Sequence, residues 1–257
     1  MRINLLKTGI KSLTAICVGA AFSLAHAAPI FWTDWTGSSN LNGFTADGTI
    51  TTGTASIGVT YNNAAGVSFI QTNGGTDYWT NGFFGNMRNA ATSPYTSTQV
   101  DNIPTGTDII ALRNLGSQTL LFSQAVANPV FSFVSLNGNG YAFLNQDFDI
   151  LSVSGVDGND CGYWSCGGVT KNVVDLGGGN FEYQLNSTGG EPHGTIQFKG
   201  AFNTLVWNSS SNEDWNGFTV GVQGTAVEVF RTPEPGTLAL SGLALFGIVL
   251  ARRRKVR

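Results

Sequence analysis

Few residues of this chain have types and spacing that could do chemistry. Cys161 and Cys166 enclose Cys-Gly-Tyr-Trp-Ser-Cys, and two thiols in so short a loop form either a disulfide or part of a metal or redox site. Zinc takes four protein ligands, or three and a water, and His193 is the only histidine beyond the first 27 residues. A disulfide is therefore the expectation, contributing about 2 kcal/mol through loop closure. His193, in Glu191-Pro192-His193-Gly194, has no Gly-x-Ser-x-Gly elbow, P-loop or His-Glu-x-x-His motif beside it and reads as an exposed turn residue. Glycoside hydrolysis needs only two carboxylates about 5 to 9 Å apart. Glu182, Glu191, Glu213 and Asp214 are candidates, but their spacing selects no pair. The reading is accordingly of a chain with no catalytic residues.

Binding chemistry is better represented. Trp32, Trp35, Trp79, Trp164, Trp207 and Trp215 are spread along the chain, and aromatic faces stack on sugar rings while Asn and Asp supply directional hydrogen bonds. Trp207 alternates with Leu205 and reads as core. Trp79 and Trp164, flanked by Tyr78 and Tyr163 among glycines, read as exposed carbohydrate contacts. Asp157-Gly158-Asn159-Asp160 is an oxygen-rich turn that suits Ca²⁺ without the spacing of an EF-hand loop. It reads first as a turn, and Ca²⁺ is the one cofactor weighed.

These residues must be positioned by strands. Glycine is 34 of 257 residues, aromatics are plentiful and charge is sparse, a mixture that suits short strands joined by tight turns. Thr195-Ile196-Gln197-Phe198-Lys199 alternates strictly, as do Phe218, Val220 and Val222 with their polar neighbours. Phe131–Leu136 and Tyr141–Leu144 flank Asn137-Gly138-Asn139-Gly140, which predicts a β-hairpin. Further strands are expected at 49–51, 55–61, 67–71, 108–113, 120–122, 148–153, 180–185 and 205–208, with a long loop or insertion over 72–94. No helical period precedes the C-terminal run. The fold class expected is all-β, a single β-sandwich of jelly-roll type over residues 28–231.

Both ends carry addresses. Arg2, Lys7 and Lys11 precede an apolar Leu13–Leu24 stretch and Ala25-His26-Ala27, the three parts of a secretory signal peptide over residues 1–27, with cleavage before Ala28. At the other end, Pro233-Glu234-Pro235 cannot be helical and stays extended and accessible. It precedes a 14-residue apolar run, Leu238–Ala251, and then Arg252, Arg253, Arg254 and Lys255. A transmembrane helix over 237–251 is expected, stretched by snorkelling and stopped in the cytoplasm by that basic tail. Between the ends lie five basic and fifteen acidic residues, a net charge of −10. Such a body repels nucleic acid and anionic lipid.

In order and spacing, the tail of residues 233–257 resembles the PEP-CTERM sorting signal of Gram-negative bacteria. The resemblance implies that an exosortase of the inner membrane reads the triplet and removes the helix and basic tail. Trp32-Thr33-Asp34-Trp35-Thr36 and the run Gly194–Phe198 are also similar to stretches of some PEP-CTERM ectodomains. The function expected is a noncatalytic envelope or matrix protein. It would be exported by the Sec translocon, cut by signal peptidase, sorted by an exosortase and associated with exopolysaccharide or biofilm at the cell surface. The alternative is a lectin-like carbohydrate-binding module, and a secreted glycoside hydrolase stands behind both.

Overall fold

Alternation in the sequence decides which side chains meet between two layers. In β8 (Val130–Val134) Phe131 and Phe133 point one way and Val130, Ser132 and Val134 the other, and all five are buried. A strand buried on both faces needs cover on both. The structure, a computed structural model, describes residues 29–80, 82, 90–231 and 242–244. In it Phe131 and Phe133 meet the facing sheet, while Val130 and Val134 belong to two smaller clusters on the outer face.

Two antiparallel sheets form a sandwich. One runs β10 (Phe148–Val153), β13 (Gly194–Phe198), β8, β15 (Asn216–Val222), β6 (Ile109–Leu112) and β5 (Phe69–Gln71), with β1 (Phe31–Trp32) sharing an edge of β15. The other runs β11 (Gly167–Gly177), β12 (Asn180–Gly190), β9 (Gly140–Leu144), β14 (Ala201–Ser209), β7 (Gly116–Ala127), β4 (Ser56–Asn63), β3 (Phe44–Thr51) and β2 (Asp34–Ser39). The pairs β6·β15, β7·β14, β8·β13 and β9·β12 are nested in sequence and alternate between the sheets. That nesting is the jelly-roll topology. Its core is aromatic: Phe131 stacks on Phe218 at 4.9 Å, and Trp207 meets both rings edge-on at 5.4 and 5.3 Å. Each such pair adds about 1 kcal/mol beyond area burial.

The hairpin predicted at 137–140 is not formed. β8 pairs with β13 and β15, β9 with β12 and β14, and the connection crosses from one sheet to the other. A two-residue hairpin turn needs positive φ at both central residues. Here positive φ falls on Ser135 (57°) and Gly138 (60°), which turns the chain out of one layer before it enters the next. The expected loop over 72–94 falls between β5 and β6, and its described residues are turns and bends with a single 3-10 turn at Ala90–Thr92. Trp79 within it, and Tyr95, Val100 and Ile103 just after it, cover the outer face of the seven-stranded sheet. A helix the sequence reading missed, α1 (Ala226–Arg231), closes the body with a capping box. Glu228 N–H donates to Thr225 Oγ1 (3.1 Å), and Thr225 N–H donates to Glu228 Oε2 (2.6 Å).

Candidate functional site

Antiparallel nesting puts the ends of β8, β10, β12 and β14 and the starts of β9, β11, β13 and β15 at one end of the sandwich. Four loops meet there and are tied to one another and to the β6–β7 loop by backbone groups. Leu136 N–H donates to Pro192 O (3.0 Å), Glu191 N–H to Cys166 O (3.0 Å), and Glu213 N–H to Arg113 O (2.9 Å). The Asn139 amide oxygen accepts from Gly140, Ser210 and Ser211 N–H, binding the β8–β9 arch to the β14–β15 loop. Between these loops opens a cleft of about 610 Å³ lined by Ser135, Asn137, Trp164, Glu191, Glu213, Asp214 and Trp215.

Its polar wall is ordered. Ser135 Oγ and Asn137 Nδ2 donate one to each oxygen of Glu191, as a carboxylate requires. Ser135 reaches this position with φ of 57°, a conformation that costs a non-glycine residue energy and often marks functional sites. Opposite, the fully buried Tyr141 donates its hydroxyl to Asn216 Oδ1. That fixes which end of the amide faces outward, so Asn216 Nδ2 donates to Glu213 Oε2 (2.8 Å). Burial, reinforced by the neighbouring Glu191 and opposed by the Asn216 donor, pushes the Glu213 carboxyl up to about 8.

Its aromatic wall comes from the disulfide loop. Cys161 and Cys166 are bonded, their Cα atoms 4.4 Å apart. Tyr163 and Trp164 project from the ring so formed: Tyr163 packs edge-on against Tyr78 (4.8 Å) and Trp164 (5.0 Å), and Trp215 against Tyr78 (5.0 Å) and Phe69 (5.1 Å). Trp164 and Trp215 lie 6.4 Å apart. Beneath them His193 is fully buried rather than exposed, because Gly162 seats on its ring. A Cβ at 162 would fall 1.8 Å from His193 Cγ. The imidazole Nδ1 shares a hydrogen bond with the Tyr95 hydroxyl at 3.0 Å; it is a core residue in contact with the loop.

The carbohydrate contacts expected from sequence divide. Trp164 is 38% exposed at the cleft, whereas Trp79 is fully buried and donates Nε1–H to Asp108 O (3.1 Å). A turn held by Asp77 Oδ1, which accepts from Trp79 and Thr80 N–H (2.9 Å each), sets Trp79 into the outer-layer cluster and leaves its neighbour Tyr78 half-buried among the site's rings, so Trp79 is withdrawn as a contact. Of the four candidate carboxylates, Glu191, Glu213 and Asp214 line the cleft; Glu182 lies on β12 outside it and accepts from Gln184. Ser135 and Asn137 were not foreseen, and Trp215, one of the six tryptophans, was not singled out. The signal lay in Asn137-Gly138-Asn139 and Glu213-Asp214-Trp215, each just before a strand start at the same end. The Asp157–Asp160 turn is held by protein groups: Asn159 Nδ2 donates to Val153 O (3.1 Å) and Asp160 Oδ2 accepts from Thr92 (2.7 Å). Among the described residues no three of His, Cys, Asp and Glu converge as a metal-ligand set.

The expected signal peptide and its Ala25, Ala27 and Ala28 boundary lie outside the described residues, as do Pro233, Glu234, Pro235 and Arg252, Arg253, Arg254 and Lys255. Of the expected helix at 237–251, residues 242–244 are described and helical. Among the described residues no helix is long and apolar enough to cross a membrane. No curated protein and no solved structure matches the chain. The tail, however, starts at the last turn of α1: residues 231–255 match the family model of the PEP-CTERM protein-sorting motif, and by that motif this chain is an exosortase substrate exported to the cell envelope.

Proposed function

We propose that the sandwich is a noncatalytic surface module that associates with exopolysaccharide through the loop-end cleft. The Sec translocon would export the chain and signal peptidase would cut before Ala28. The 237–251 segment would then hold it in the inner membrane of a Gram-negative cell until an exosortase acts at Pro233-Glu234-Pro235. The cleft carries the reading. It offers two tryptophan rings for sugar faces beside oriented Ser, Asn and carboxylate groups for hydroxyls, on loops fixed by a rigid scaffold. Titration with exopolysaccharide purified from the producing cells tests it. Wild type should bind, and Trp164→Ala and Trp215→Ala should each weaken binding at least about fivefold, since a stacked aromatic ring contributes on the order of 1 to 3 kcal/mol. The reading needs no bound metal, so chelating Ca²⁺ should leave the affinity unchanged. Absence of binding by the wild type sinks the proposal.

One observation favours a second reading, a secreted glycoside hydrolase. Burial raises the Glu213 carboxyl to about 8, and Glu191 lines the same cleft, a pair of carboxyls that suits a general acid and a second acid. Release of reducing ends from the same polymer, lost in Glu213→Gln, would establish it. A polymer left intact after prolonged incubation would dismiss it.

A further inference from the structure

Three acidic side chains, Glu191, Glu213 and Asp214, line this one cleft. The ion pairs among the described residues join Lys171 and Lys199 to Asp147 and Asp149, and none reaches the cleft acids. Glu213 Oε1 is buried and makes no hydrogen bond of ordinary geometry, although the Asn137 N–H and the Asn139 side chain act on this carboxyl, and a buried acceptor left poorly matched is costly. The rings of Trp164 and Trp215, which flank these carboxylates, present electron-rich faces. Carboxylates and aromatic faces together attract a cation. A bare metal ion fits poorly, because the acids do not converge as ligands and the cleft, at about 610 Å³, is far larger than an ion. An ammonium group on a larger molecule fits better: it offers three donors and no acceptor, and the molecule that bears it fills the remaining space.

Resting on the glycan-binding reading of the same cleft, we infer that the site selects glycans carrying unacetylated amino groups, with the ammonium seated between Glu191, Glu213 and the tryptophan rings. The raised proton affinity of Glu213, caused first by burial and only then by the nearby Glu191, is in keeping with a carboxyl that no cation neutralises in the free protein. The body's net charge of −10 points the same way, as it would repel a uronate or sulfate polymer and draw in a polyamine one.

The test is calorimetric titration of the full chain in detergent, at about pH 6.5 and low salt, with glucosamine oligomers and with N-acetylglucosamine oligomers of equal length. The free-amine series should bind at least tenfold tighter, and the preference should shrink several-fold in about 0.5 M NaCl, where screening is strong. Glu191→Gln and Glu213→Gln should each reduce the preference at least threefold. Glu182→Gln, the same substitution at a carboxyl outside the cleft, should not, and melting curves would verify that each variant is folded. Equal affinity for the two series, or a preference for the acetylated one, overturns the inference and leaves the glycan reading standing. Failure of both series and of the cells' own polymer to bind overturns the two together.

Discussion

Replacing Glu213 by glutamine should stabilise the protein, and only above mildly acidic pH. In the fold the Glu213 carboxyl titrates near 8 rather than at its ordinary 4.5, chiefly because it is buried. Between those values the folded state keeps a proton that the unfolded chain has released, so stability falls as pH rises across this window and levels off beyond about pH 8. At about 1.4 kcal/mol per pH unit, the full effect is at most ~5 kcal/mol. The side chain is partly open to the cleft, and solvent screening halves this or more, leaving about 2 kcal/mol. Glutamine keeps an acceptor for the Asn216 amide, which donates to Glu213 over 2.8 Å, and carries no charge to desolvate. For a domain of this size 1 kcal/mol moves Tm by about 2 to 4 °C. Glu213→Gln should therefore raise Tm by about 5 °C at pH 9 and by nearly nothing at pH 4. Scanning calorimetry of the processed protein and its variant across that range reads the difference directly. Two curves that run parallel from pH 4 to pH 9 would refute the placement of a strained, buried carboxyl in the cleft.

Replacing both Cys161 and Cys166 by serine should lower stability by about 2 kcal/mol. It should also weaken glycan binding, because the ring holds Tyr163 and Trp164 against Tyr78 and Trp215; urea titration and the polymer assay read the two effects. Gly162→Ala places a methyl group 1.8 Å from the buried His193 ring, so a loss of about 1 to 3 kcal/mol is expected, and an unchanged denaturation midpoint would contradict that contact. The Glu228 carboxyl, held at about 2 by the Thr54 hydroxyl and the Thr225 amide, contributes stability that is present above about pH 4.5 and lost as pH falls toward 2. It is largely solvated, so Glu228→Gln should cost under about 1 kcal/mol at pH 7 and should hasten proteolysis within 226–231. The intact mass of the protein recovered from the cell surface should correspond to a chain that begins at Ala28, ends near Pro235 and is two hydrogens light for its disulfide.

Much of the sandwich was legible because inward positions repeat every second residue. Phe131, Phe133, Ile196, Phe198, Phe218 and Val220 announce themselves by alternation, and each lies in the shared core. Three strands went unread: the two-residue β1, and β2 and β11, which are the two edges of the eight-stranded sheet. Edge strands lack a buried row to print a pattern, as the largely exposed β11 shows. Partner choice was hidden as well: Asn137-Gly138-Asn139-Gly140 has the composition of a hairpin, but the long-range pairs of β8 and β9 override it. The cleft suffered from the same limit. Glu191 and Glu213 are 22 residues apart, and Ser135 lies further off still; only the nesting of four strand pairs brings them to one end. Trp79 was misjudged since a tryptophan among glycines has the same sequence context whether it faces solvent or fills the outer layer. The sorting motif was legible because it is linear and needs no fold to be recognised.

Hydroxyl-radical footprinting of the protein on its own polymer tests the central claim at residue level. Trp164 and Trp215 should lose most of their oxidation when exopolysaccharide is added, while Leu41, 89% exposed on the β2–β3 loop, stays fully reactive. Undiminished oxidation of both tryptophans with the polymer bound, or protection confined to the exposed Val173, Leu176 and Phe181 of the β11–β12 hairpin, would show that the cleft is not where this protein meets the cell surface.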